Sequence, residues 1–235
     1  MRNDYIVVDL EMTGLNPKKD RILEIGAVKV IEKQTAGTFS KLIRSDRKLD
    51  EKIVGITGIT NEEALLGEKL DCAVEAFLEF AGDLTWIGHN IIFDYGFIRQ
   101  WEINHRIQRT CYAVDTLKIA RKCLPQLEKK TLDFLCGHYG IEREKKHRAF
   151  YDAAANRMLY ERLEHEFIEK EPALFEKKEL LYKAKRQTPA TQRQKNYLKD
   201  LVKYHNIILK EPIDQLTRSE ASRLTDQIIF RYGKR

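Results

Sequence analysis

The sequence is short of every feature that would take it out of the ordinary globular class. No apolar run approaches the roughly 20 residues that a membrane-spanning helix needs. Four cysteines stand far apart at positions 72, 111, 123 and 136, with no Cys-x-x-Cys pair, so a zinc ribbon or dithiol redox site is excluded and reduced, buried thiols are expected. There are no internal repeats and no low-complexity tracts. The opening residues place Asp4 and Asp9 on either side of a short apolar run, which is a strand pattern and not a secretion signal. The expectation is a cytoplasmic protein with no membrane partner. Net charge is +6, but the first three quarters carry none of that excess. Residues 1–176 hold 27 Lys and Arg against 30 Asp and Glu, whereas residues 177–235 hold 15 against 6. A basic tail on a slightly acidic body is an electrostatic handle for a polyanion.

What is present reads as alternating structure. Tyr5–Glu11, Arg21–Ile31 and Thr38–Arg44 read as three strands joined by short turns, an antiparallel meander. Thr60-x-x-Glu63 is a capping box that predicts a helix from about Asn61. Apolar spacing predicts helices over 71–81 and 93–101, with a fourth strand at Thr85–His89 between them. A fifth strand is expected at Cys111–Val114, with a helix after it to about Arg121. Thr131 can cap a helix over Leu132–His138, and Ala149–Phe167 reads as one long helix. Strands in a meander followed by strand–helix alternation predict an α/β domain with a mixed five-stranded sheet and helices on its faces. The division expected is a main domain over 1–170, a charged linker or helix over 171–187, and a small basic helical module over 188–235. In that module Thr188 reads as a cap with Pro189 at the first helical position.

Three acidic clusters carry the chemistry. Asp9-x-Glu11 closes the first strand, so both carboxylates lie on one face. Asn90-x-x-x-Asp94 follows the fourth strand. His147-x-x-x-x-Asp152 opens the long helix. Each lies where a strand ends or a helix begins, the place where α/β domains gather ligand-binding groups. A strand as apolar as the first rarely carries two carboxylates on one side without a charge partner, because their desolvation is costly. Four carboxylates and one histidine can hold two divalent cations beside a general base, which points to metal-assisted phosphodiester cleavage.

The segments Val8-Asp9-Leu10-Glu11-Met12-Thr13-Gly14-Leu15, Gly88-His89-Asn90-Ile91-Ile92-Phe93-Asp94 and His147-Arg148-Ala149-Phe150-Tyr151-Asp152 resemble the three ordered motifs of the DEDDh 3′–5′ exonucleases. This is the superfamily of the proofreading epsilon subunit of DNA polymerase III, whose fold is ribonuclease H-like. The likeness runs over roughly residues 4–168. The related DEDDy enzymes place a tyrosine four residues before the last aspartate. Arg148 stands there, while His147 fits the DEDDh pattern. The resemblance implies that Asp9, Glu11, Asp94 and Asp152 hold two Mg²⁺ or Mn²⁺ ions, that His147 is the general base, and that nucleoside 5′-monophosphates leave a 3′ end. It further implies that Met12, Thr13, Gly14, Leu15, Val54, Gly55, His89 and Asn90 grip the terminal nucleotide, with Leu15 as an apolar wedge. Met12 stands where epsilon-like sequences often have a second threonine, and Val54 where many have histidine before Gly-Ile-Thr. The string Asp-Leu-Glu-Met-Thr-Gly-Leu is also similar to oligoribonucleases, whereas the His89-Asn90 turn favours the epsilon-like branch. The implied substrate is single-stranded DNA or a frayed duplex end. RNA trimming and a non-catalytic 3′-end-binding subunit of a polymerase stay open as alternatives, and the basic module is a candidate contact for a polymerase or repair partner.

Overall fold

The computed structural model describes residues 4–45, 47–183, 186–209 and 212–234. A mixed sheet has the order β3-β2-β1-β4-β5-β6. Its strands are β1 (Tyr5–Met12), β2 (Ile22–Ile31), β3 (Gln34–Leu42), β4 (Thr85–Gly88), β5 (Tyr112–Asp115) and β6 (Lys178–Glu179). β1 pairs antiparallel with β2 and parallel with β4. The meander thus gives way to parallel strands at β1, as the strand–helix alternation of the sequence requires.

Side-chain alternation along β1 assigns the two faces. Ile6, Val8 and Leu10 join a core with Phe77, Trp86 and Ile98, from α3 (Leu70–Ala81), β4 and α4 (Ile92–Asn104). Tyr5 and Val7 join the opposite core with Ile119, Leu135, Leu159 and Leu163. Those come from α5 (Thr116–Cys123), α6 (Leu132–Tyr139) and α7 (Ala149–Phe167). Asp9 and Glu11 continue the second face. They emerge where α7 begins.

Several elements differ from expectation for identifiable reasons. β3 starts earlier because Glu32 and Lys33 both adopt positive φ, 48° and 67°, and let Ile31 pair directly with Gln34. This is the two-residue hairpin geometry that glycine or asparagine would normally announce. α1 (Glu51–Thr57) forms in a stretch of weak helix formers, and Ile53 and Val54 pack it onto Leu23, Leu49 and Ile59. α2 (Asn61–Leu66) starts at the expected capping box on Thr60. The sheet has a sixth strand. The charged segment after α7 forms a 3₁₀ turn at Pro172–Leu174, then pairs Lys178–Glu179 with the open edge of β5. Burial of Phe175 pins it there. Residues 184 and 185 of that expected linker lie outside the described residues.

The chain forms two compact units. One runs through Glu102 and resumes at Gln108; the other holds Ile103–Ile107 and the C-terminal residues from 186 onward. The second unit is a pair of helices, α8 (Gln192–Tyr204) and α9 (Arg218–Tyr232), around Leu198, Leu201, Leu216, Ala221 and Ile228. Thr191 caps α8 with Gln194, displacing the expected start at Thr188-Pro189. Pro189 instead forms a bridge with Thr217, fastened by Ala190 N–H to the Leu216 carbonyl and Arg218 N–H to the Thr188 carbonyl. Among the described residues no helix is long and apolar enough to cross a membrane.

Gly26 sets how closely α7 lies on the sheet. A Cβ there would fall 2.1 Å from the Ala149 carbonyl carbon and 2.2 Å from the Phe150 nitrogen, both backbone. Gly137, within α6, has nothing within 4 Å of such an atom. Gly26→Ala is therefore expected to destabilise by about 1–3 kcal/mol through overpacking, while Gly137→Ala stabilises by up to about 1 kcal/mol through helix propensity. Urea midpoints of the two variants, read at constant m-value, check both signs.

Candidate active site

β1 and β2 are in register such that Asp9 faces Gly26 and Glu11 faces Glu24. Directly opposed residues of an antiparallel pair share a face. The missing side chain at Gly26 lets the first turn of α7 come down beside Asp9. Asp152, buried, lies one turn along that helix.

The Glu11–Glu24 pair would repel if left alone. Glu24 is compensated from α7: Arg148 donates through Nε and Nη2 at 3.0 and 3.1 Å, and the Ala149 N–H donates at 3.0 Å. Glu24 is thus a buried anchor holding the start of α7 to β2, and His147 is its neighbour in sequence. Glu11 has no such partner among the described residues. The β1–β2 register shifts at Glu11/Met12, an irregularity of the kind that re-aims side chains beside active sites.

Asp94 arrives from the other face. β4 stops at Gly88 while β1 runs on to Met12, so the Leu10 N–H has passed the end of its parallel neighbour. Asp94 Oδ1 accepts it at 2.9 Å. The turn that delivers α4 is itself tied down, because Asn90 sits at φ 70° and donates its N–H to Asp115 Oδ1 at 3.0 Å.

Ligand atoms of Glu11, His147 and Asp152 lie within 4.8 Å of one another, a spacing suited to a shared cation. His147 is exposed at φ 55° and its N–H donates to Asp152 Oδ2 at 3.2 Å. Burial raises all four carboxyl groups, and Asp9 and Glu11 are raised further by others of the four. Asp9 is pushed well above the usual carboxylate range by burial, then by Asp94, Glu11 and Asp152. Burial first and Asp152 second raise Glu11 to about 8. Burial raises Asp94 to about 7, against the Leu10 hydrogen bond, and raises Asp152 against Arg143. Clustered carboxylate oxygens are the donor set a hard divalent cation prefers, and its positive charge would offset the cost of ionising these acids together. The residues present therefore fit such an ion.

One cation already stands there. Arg143 donates through Nη1 to Asp152 Oδ1 at 2.7 Å, its side chain only 4% exposed. Asp133 holds the same guanidinium from outside. Neither Glu24 nor Arg143 was among the residues expected from sequence. Glu24 had a signal, a lone carboxylate inside an apolar strand; Arg143 sits in a uniformly charged stretch and had none.

The residues expected to grip a nucleotide serve different local roles. Thr13 closes the loop after β1, its N–H donating to the Arg21 carbonyl and its hydroxyl accepting from the Arg21 N–H, both at 2.9 Å. Gly14 packs against the Asp20 carboxylate, and Met12 against the core. Leu15 stands 67% exposed. Val54 and Gly55 lie on α1. His89 has both ring nitrogens engaged inside the fold, Nδ1 at 3.0 Å from Thr116 Oγ1 and Nε2 at 2.7 Å from the Lys130 carbonyl. Since a carbonyl only accepts, the proton sits on Nε2, and burial lowers the pKa of the ring. His89 braces the end of β4 against α5.

The profile of the exonuclease family RNase_T matches residues 6–160. The chain belongs to the exonuclease family. The chain is 34% identical over 153 residues to the PolC-type DNA polymerase III of Clostridium perfringens, and 32% identical over 157 residues to that of Staphylococcus aureus. The matches cover 65% and 66% of the chain, and in each case 11% of the polymerase. Among solved structures, Exonuclease X in complex with 5′ overhanging duplex DNA superposes with a TM-score of 0.54 at 22% identity, covering 68% of this chain and 91% of that one. Escherichia coli Exonuclease I in complex with a dT13 oligonucleotide gives 0.58 at 20%, covering 74% and 43%. These likenesses are of fold.

The raised carboxyl groups of the site make a pH prediction. A carboxyl whose folded pKa exceeds its unfolded value near 4 binds more protons folded than unfolded, so its contribution to stability is lost as pH rises. With Glu11 at about 8 and Asp94 at about 7, the metal-free protein is expected to lose thermal stability steadily between about pH 5 and about pH 8.5. Saturating Mg²⁺ or Mn²⁺ should flatten that decline, and Asp94→Asn should reduce it without metal. Melting curves across the range in chelator and in metal read the slope; a flat metal-free profile contradicts the assignment.

Proposed function

We propose that this exonuclease is of the DEDDh type and removes nucleoside 5′-monophosphates from 3′ ends of single-stranded or frayed DNA. The observation that carries the reading is the convergence of four carboxylates and a histidine from β1, α4 and α7, with Glu11, His147 and Asp152 within 4.8 Å. Asp9, Glu11, Asp94 and Asp152 would hold two divalent cations of the Mg²⁺ or Mn²⁺ class. When bound, such ions supply Lewis acidity at the phosphoryl oxygens and acidify water. His147 is the general base: it is exposed at the mouth of the cup, and imidazole accepts a proton efficiently near neutral pH. The Asp152 contact to the His147 N–H fixes the backbone that carries this base. Leu10, through its N–H, holds Asp94 in place for its share of the ion.

DNA is favoured over RNA by the relatives, which are DNA polymerases. The exonuclease spans about a tenth of their length, so a polymerase-linked role in proofreading or repair is a proposal about context, with the basic C-terminal unit as the element that would reach a partner or the nucleic-acid backbone. An RNA-trimming reading predicts a different sugar preference in the same assay.

Purified protein with Mg²⁺ and 5′-labelled DNA or RNA oligomers should give ladders shortening from the 3′ end, faster for DNA. Asp9→Ala and Asp152→Ala are expected to remove about 10³-fold or more of the rate by loss of the metal contribution, with the fold retained by circular dichroism. His147→Ala is expected to cost about 10²–10⁴-fold. Wild-type rates in either aspartate variant would overturn the assignment.

The C-terminal unit makes a separate prediction. Arg193, Lys203 and Arg223 are exposed. If they meet phosphates, reversing all three to glutamate should make the slope of log affinity against log salt shallower by about 2, given roughly 0.7 per phosphate contact on single strands. An unchanged slope in fluorescence anisotropy would assign the unit to docking instead.

A further inference from the structure

A groove of about 380 Å³ is walled by Leu15, Asn16, Pro17, Ile92, Phe93 and Tyr182. Five of these come from the loop that follows Asp9 and Glu11 or from the start of the helix that carries Asp94. The sixth lies beyond residues 6–160, the part the family profile matches. Leu15 and Phe93 stand 67% and 38% exposed along it.

Tyr182 is placed there by the segment that returns after α7. β6 pairs Tyr112 with Glu179, and the Leu180 N–H donates to the Cys111 carbonyl at 2.9 Å, which fixes the chain at the sheet edge just before the tyrosine. Its ring then lies over Gly96 and Pro17. A Cβ at Gly96 would meet Tyr182 Cε2 at 3.2 Å and Pro17 Cγ at 3.4 Å, so the absence of a side chain at Gly96 makes the seat. The ring is partly buried against the core, yet it also borders a second cavity, of about 610 Å³, whose walls include Arg99, Arg109 and Lys183. Arg99 and Arg109 share the buried Glu102 at 3.1 and 2.7 Å. With Lys183 they outnumber Glu102 and the wall residue Glu179. Aromatic faces set beside excess positive charge are the arrangement that holds single-stranded nucleic acid, bases on the rings and phosphates on the cations.

We propose that Tyr182 is a stacking platform for a nucleobase of the single strand whose 3′ end enters the carboxylate cup, with the backbone continuing toward Arg99, Arg109 and Lys183. The proposal rests on the nuclease reading above and adds to it a positioning residue outside the matched domain. The groove's walls come from the two segments that follow Glu11 and carry Asp94, and the occupant proposed is a flat, apolar-faced group joined to an anion.

The test uses the full chain with oligothymidylate ten nucleotides long that carries 5-iodouracil at one of the three 3′-terminal positions, in Ca²⁺ for equilibrium binding and Mg²⁺ for turnover. Irradiation should cross-link one of the three probes to Tyr182 of the wild type, mapped by peptide mass spectrometry. Tyr182→Leu keeps apolar bulk over Gly96 and Pro17 but has no π face. It should weaken oligomer binding about tenfold, raise KM with little change in kcat, and leave affinity for thymidine monophosphate unchanged. Tyr182→Phe should restore all of these. No Tyr182 adduct from any probe, or a Tyr182→Leu affinity within twofold of wild type, overturns the proposal. A wild type that cross-links through Tyr182 but releases no monophosphate in Mg²⁺ would instead sink the nuclease reading and leave the stacking role standing; one that degrades the oligomer normally with no dependence on Tyr182 would do the reverse.

Discussion

The site depends on how closely one helix can approach one strand. β2 faces Asp9 with a glycine, and the backbone of Ala149 and Phe150 occupies the space where a side chain would be. Glu24, two residues away on the same strand face, fastens that approach by accepting from Arg148 and the Ala149 N–H. These two features act together. The glycine sets the distance, and the buried ion pair with its backbone hydrogen bond sets the angle. Without them Asp152 and His147 would be carried by a helix free to ride higher over the sheet, and Glu11 would face an unscreened Glu24. A buried ion pair contributes little net stability because desolvation offsets its attraction. Its use here is geometric.

The same geometry loads the fold with repulsion. Burial raises all four carboxyls, Asp9, Glu11, Asp94 and Asp152, and the neighbouring carboxylates push Asp9 and Glu11 further. The protein compensates unevenly. Asp94 has a backbone N–H, Asp152 has Arg143 and the His147 N–H, and Glu24 has Arg148. Asp9 and Glu11 have no comparable donor among the described residues, and they are the pair a cation would relieve most. Arg143 therefore has a double character. It offsets the charge of Asp152, and a metal ion that claims the same oxygen must compete with a guanidinium also held by Asp133. On the proposed reading, metal affinity would be set by that competition as well as by the number of carboxylates.

Much of this was legible in the sequence because the signals were local and strong. The alternation along Tyr5–Glu11 placed both acids on one face, the capping box at Thr60 marked a helix start, and α7 has the bounds that its pattern predicts. What escaped was whatever tertiary contacts decide. The hairpin at Glu32–Lys33 uses positive φ in residues that do not advertise it. α1 forms from poor helix formers because Ile53 and Val54 find a core. β6 exists because β5 has an open edge, and no local pattern in Lys177–Glu179 could announce it. His89 follows the same logic: beside Asn90 it reads as part of a binding turn, but Thr116 and Lys130, distant in sequence, take both its nitrogens.

Topology explains why the chemistry gathers at this end of the sheet and at no other. β1 is the strand at which an antiparallel meander meets a parallel pair. On its β2 side the partner strand carries Gly26 and Glu24, and admits a helix from one face. On its β4 side the parallel neighbour stops early, leaving the Leu10 N–H to be met by a helix from the opposite face. Ligand sites in open α/β sheets form beyond the carboxyl ends of the strands, where the connections diverge. Here the divergence is two-sided, so residues separated by more than a hundred positions reach one point from both layers. The groove beside Tyr182 is walled by the loop after β1 and the start of the helix after β4. Its walls Ile92 and Tyr182 pack against the core of Trp86, Tyr95 and Ile98, so the side of the sheet that carries α4 gives this end of the molecule a firm wall.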